Sequence, residues 1–61
     1  MRDINRIDGF CQVIAEKWKT KCPDWRFGQL MINFLSWLGY DPFYMEEDKF
    51  LAKFEEFMNT I

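Results

Sequence analysis

Between Trp25 and Leu38 only four polar residues occur, Arg26, Gln29, Asn33 and Ser36. At about 100° per residue they share one stripe roughly 80° wide. A helix with about 280° of apolar surface must be covered on more than one side. Phe27, Leu30, Met31, Phe34, Leu35, Trp37 and Leu38 fill one broad face, while Trp25 and Ile32 lie on the far flank with Gly28 between them. The pattern predicts a helix over residues 25–38, with Asp24 as its N-cap and Gly39 as its stop. It would be the central, mostly apolar second helix of a compact all-α, three-helix domain.

Its neighbours follow from the same periodicity. Ile4, Ile7, Phe10, Cys11, Ile14, Ala15 and Trp18 occupy an arc of roughly 140°, which predicts a first helix over residues 4–19. Pro23 ends it, because the residue before a proline is pushed out of the α region. Glu46, Glu47 and Asp48 place three acids where a helix N-terminus favours them, at the start of a third helix over residues 47–59. Phe50, Leu51, Phe54, Phe57, Met58 and Ile61 form its apolar face. Tyr40–Met45 carries the Asp41-Pro42 turn signal and reads as an ordered surface loop. With 61 residues the chain is one domain, 1–61.

Residue types narrow the chemistry. The chain has no histidine, so histidine-based acid–base catalysis, Cys-His or Ser-His-Asp nucleophiles and the common histidine-containing zinc sites are excluded. Ser36, the one serine, stands on a helix with no base beside it in sequence. The acidic run 46–48 lacks the alternating spacing and the glycine of a calcium loop, and Gly9, Gly28 and Gly39 are too isolated to cradle a phosphate. The expectation is a protein that is not an enzyme, with no metal, no cofactor and no small-molecule substrate. Cys11 and Cys22 should stay reduced, since about nine helical residues hold them more than roughly 10 Å apart, beyond the reach of a disulfide. No apolar run approaches the roughly 18 residues of a membrane span and no signal-peptide pattern opens the chain, so a cytoplasmic protein is expected.

Net charge is −2, too acidic for sequence-independent attraction to phosphate backbones. The charge is unevenly spread. Residues 1–21 carry five bases against three acids, and residues 41–61 carry six acids against two bases. The first and last helices are therefore expected to lie side by side, the alternative being head-to-tail self-association or a charged partner. Nucleic acid is not an expected partner; a small DNA-associated regulator of helix-turn-helix type is the alternative, although helix two is too apolar and helix three too acidic to serve as a recognition helix.

The aromatic content carries the positive signal. Seven Phe, three Trp and two Tyr exceed what a core of this size absorbs, since about 60% of the unfolded surface is buried in so short a chain. Trp25, Trp37, Tyr40, Phe43 and Tyr44 gather around the ends of helix two, and Trp and Tyr are the types that anchor protein interfaces. The flank bearing Trp25, Gly28, Ile32 and Leu35 is the expected face of a homodimer, unless the loop 40–45 folds over it and leaves a monomer. Arg26, near a helix N-terminus that disfavours cations, is expected to pair with Asp41 or with Glu46, Glu47 or Asp48.

Two blocks, Pro23-Asp24-Trp25-Arg26-Phe27-Gly28-Gln29-Leu30 after Trp18, and Asp41-Pro42-Phe43-Tyr44-Met45-Glu46-Glu47-Asp48, add a context. Together they make the chain resemble, over residues 4–58, a family of small uncharacterised proteins from low-GC Gram-positive bacteria and their phages or mobile elements. The resemblance transfers no activity and no site residues. It implies a short accessory protein that binds and modulates or inhibits a host protein, defence systems included.

Overall fold

The computed structural model describes all 61 residues as three α-helices and no strand: α1, Arg6–Lys21; α2, Phe27–Leu38; α3, Glu47–Met58. This is the expected all-α, three-helix domain. None of the helices is long and apolar enough to cross a membrane.

At the start of α2 the structure corrects the sequence reading. Trp18 Nε1–H donates to the Trp25 carbonyl at 3.0 Å, and the Trp25 N–H bonds back to the Cys22 carbonyl at 3.1 Å. Residues 22–25 are thus committed to a turn, and Asp24 caps nothing. Arg26 becomes the N-cap residue in extended conformation, with its N–H donating to Gln29 Oε1 at 2.7 Å. A glutamine three residues into a helix reaches back in this way to satisfy a donor the helix leaves free. The other end of α2 is as read: Gly39 adopts φ +84° and its N–H bonds to the Leu35 carbonyl at 3.1 Å. Only glycine takes that left-handed turn without strain.

Charge and aromatics set how the helices pack. Arg2 pairs with Glu46, Arg6 with Glu47 and Lys17 with Glu55, so α1 and α3 run parallel, as the opposite charges of the chain's two ends suggested. Phe10 meets Phe50 edge-on between them at 5.5 Å. The same Phe50 also meets α2: the Phe34 ring packs against Phe50 at 4.9 Å, Phe54 at 5.2 Å and Phe57 at 5.6 Å. The core consists of Cys22, Leu30, Phe34, Leu38, Phe54, Phe57 and Met58, with Ile14, Trp18, Trp25, Met31, Met45 and Phe50 packed partly buried against it.

The backbone that packs closely on both others is that of α3, while the backbones of α1 and α2 stay apart. The central helix is therefore α3 and not the mostly apolar α2 expected there: α2 contributes Leu30, Phe34 and Leu38 to the core but leaves most of its residues exposed, because α1 packs on α3 instead of on it. Its N-terminus lies at the C-terminal end of α1, where Trp18 and Phe27 rings meet at 5.9 Å. Arg26 is accordingly about a helix length from the α3 start, where Arg2 and Arg6 already engage Glu46 and Glu47. The pairing expected for Arg26 does not form.

Phe34 is completely buried at the aromatic junction, so Phe34→Ala should cost about 3–5 kcal/mol, as much as the whole stability of a marginal domain of this size. Its far-ultraviolet dichroism at 25 °C should show a largely unfolded chain. At Gly9 an added Cβ meets nothing within 4 Å. Gly9→Ala should therefore raise stability by about 0.5–1 kcal/mol in urea titration.

Candidate protein-interaction surfaces

The turn between α2 and α3 is built to be stiff. Asp41 Oδ1 accepts from the Phe43 N–H at 3.0 Å, and the Met45 N–H closes the turn on the Pro42 carbonyl at 2.9 Å. Met45 packs against the core and pins the turn from below. Directly after it, Glu46 receives both terminal nitrogens of Arg2, and Glu47 accepts from Arg6 Nε. On this base Phe43 and Tyr44 stand 77% and 91% exposed, their rings edge to face at 4.8 Å. Tyr40 is exposed alongside them in sequence. The turn does not fold back over α2, so the account in which every aromatic is internal is not the one observed.

A second surface lies between α1 and α2. Because their backbones stay apart, they form a V closed at the Trp18–Phe27 end and floored by Phe50, leaving a groove of about 300 Å³ lined only by apolar side chains. Cys11, Ile14 and Ala15 line the α1 wall, and Phe27 and Met31 line the α2 wall. By helical spacing, Leu35, Gly28 and Ile32 extend the α2 wall outward, and Ile32 is 65% exposed. Ile4 and Ile7 are exposed on α1 and the turn that opens it.

Of the residues singled out from sequence, Gly28, Ile32, Leu35, Trp37, Tyr40, Phe43 and Tyr44 are exposed, while Trp25 is half-buried with its ring 6.5 Å from Phe57. They divide into the two surfaces: Gly28, Ile32 and Leu35 on the V, and Tyr40, Phe43 and Tyr44 on the turn. Trp37 stacks on Phe34 at 6.1 Å and leans on Phe57 at 5.7 Å. The sequence reading left out the α1 wall, although the arc through Ile4, Cys11 and Ala15 was its signal. It also left out the absence of any charge from Phe27 through Tyr40, on a helix with most of its residues exposed. Charge depletion of that kind marks interface centres.

The titratable groups serve the fold. Hydrogen bonding to Arg2 lowers the Glu46 carboxyl below its usual range and raises the Arg2 guanidinium correspondingly. Burial pushes the Cys22 thiol up; both Cys11 and Cys22 are free thiols. No three side chains of the His, Cys, Asp and Glu types converge as a metal site would require.

The fold is a small all-α domain that carries two exposed apolar and aromatic surfaces. No protein-family model, no curated protein and no solved structure matches the chain.

A depressed carboxyl pKa stabilises the fold above the unfolded value of about 4.3 and loses that contribution as pH falls through the folded value. The hydrogen-bonded amides of Asn5, Arg6 and Ile7 should thus exchange faster as pH is lowered from neutrality to about 3, after correction for intrinsic exchange rates. Glu46→Gln should produce the same loosening already at neutral pH, with α2 and α3 unaffected.

Proposed function

We propose that the chain is a non-enzymatic, cytoplasmic protein-binding module: an accessory protein of a phage or mobile element that docks on a host protein and modulates or inhibits it, a defence system being one such target. The single observation that supports this reading is the aromatic pair Phe43 and Tyr44, presented almost wholly to solvent from a turn tied at both ends. Large amphipathic rings held on a rigid base lose little entropy when bound, which is what interface hot spots require. The fitting partner is a protein with an apolar pocket wide enough for two rings and a polar rim to meet Asp41. The phage context rests on the resemblance carried by residues 23–30 and 41–48. The lack of histidine supports the non-enzymatic part. A DNA-associated regulator gains no support, because α2 has no charge with which to engage a phosphate backbone.

The test replaces both rings. Phe43→Ser/Tyr44→Ser should leave urea stability within about 0.5 kcal/mol, the sites being exposed. A host protein retained from lysate by the immobilised wild-type chain is purified and titrated against both forms. The dissociation constant should rise by about 30-fold or more in the double variant, as removal of a hot spot of about 2 kcal/mol demands. Equal affinity for the double variant, or no host protein bound by the wild type, would overturn the reading.

A further inference from the structure

A folded monomer of this mass is expected to expose roughly 4,250 Å²; this 7.5 kDa chain exposes 4736 Å², about 500 Å² in excess. Its radius of gyration is 11.8 Å, against about 10.5 Å for a compact chain of this length. The backbones of α1 and α2 do not approach each other, and the groove between them stays open. Stable interfaces take about 800 Å² from each partner. The groove is flanked by exposed Ile4 and Ile7 on one limb and by exposed Phe27, Ile32 and Leu35 on the other, which gives an apolar surface on which such an interface can form.

The charges around the V indicate what closes it. By the helical repeat of α1, Cys11 and Ala15 share one strip of its surface, and Asp8 and Lys19 share the strip immediately beside it. One acid and one base therefore sit on the same outer rim, on either side of a centre made of two small residues. Neither takes part in an ion pair within the chain, unlike Arg2, Arg6 and Lys17 on the same segment. When such a helix crosses its own twofold mate antiparallel, each Asp8 meets the other copy's Lys19, and the small centre lets the backbones approach. That is the self-complementarity an isologous contact requires. The rim on α2 adds the uncharged Gln29, Asn33 and Ser36, with Arg26 at its N-terminal end as its one charge.

We propose that the V is closed by the V of a second copy. Two antiparallel α1/α2 pairs meet face to face across a twofold axis as a four-helix layer, with each α3 on the outside. Ile32, Leu35 and Gly28 of each copy pass from water into the joint interface. The aromatic turn is not part of it and stays free, so this inference stands independently of the host-binding reading.

Sedimentation equilibrium and light scattering on the full chain test it. At micromolar concentration the wild type should have twice the 7.5 kDa mass of the chain. Ile32→Glu, at an exposed position the monomer fold tolerates, should return the mass to that of one chain with helical dichroism retained. Asp8→Lys and Lys19→Asp should each weaken the dimer by about tenfold, two symmetric surface pairs being lost at once, and the double exchange should restore it. A wild-type chain that stays monomeric at high micromolar concentration would overturn the proposal. So would a dimer indifferent to Ile32→Glu, a mass that climbs past two chains, or a double exchange that restores nothing.

Discussion

The ring of Phe34 holds α2 to α3 by meeting Phe50, Phe54 and Phe57 at centroid separations of 4.9–5.6 Å. In so short a chain there is no second core to share that task. Each aromatic pair adds roughly 0.5–1.5 kcal/mol beyond the area it removes from water, and several of them converge on one side chain. By comparison α1 has no fully buried residue. It is held on α3 by the Phe10–Phe50 contact, by the half-buried Ile14 and Trp18, and by ion pairs at the rim. Such surface pairs contribute little individually, so their main consequence here is alignment. They bring the two N-termini together and make α1 and α3 parallel.

That alignment shapes both exposed surfaces. Arg2 and Arg6 reach the start of α3, and in doing so they clamp the segment that follows the aromatic turn. The stiffness of the Phe43–Tyr44 platform thus derives partly from residues at the far end of the sequence. With α1 drawn to one side of α3 and α2 to the other, the groove between them is left open above Phe50. The uncharged α2 forms one wall of that apolar groove through Phe27 and Met31.

Helix positions were legible because hydrophobic periodicity is a local property. The apolar arcs of residues 4–19, 25–38 and 47–59 anticipate α1, α2 and α3 to within two residues at each end, and Gly39 marks the end of α2 because no other residue takes its backbone conformation freely. The acid and base excess at opposite ends of the chain likewise anticipated the pairing of α1 with α3. Among the interface candidates, the exposure of Phe43 and Tyr44 was legible from their position after the Asp41-Pro42 turn, in a chain with more aromatic rings than its core could absorb.

What sequence could not supply was every feature that depends on a partner distant along the chain. Asp24 has the chemistry of an N-cap, but the Trp18 indole claims the Trp25 carbonyl and moves the start of α2 to Arg26. Arg26 has acids to pair with on paper, but they lie at the other end of the parallel α1–α3 pair, where Glu46 and Glu47 are already engaged by Arg2 and Arg6. Trp25 resembles an interface anchor by type and is packed against the core in fact. Composition and periodicity determined that the chain folds as three helices with apolar surface to spare. Tertiary packing alone decided where that surface lies, because a helix wheel records which residues share a face and not which neighbour covers it.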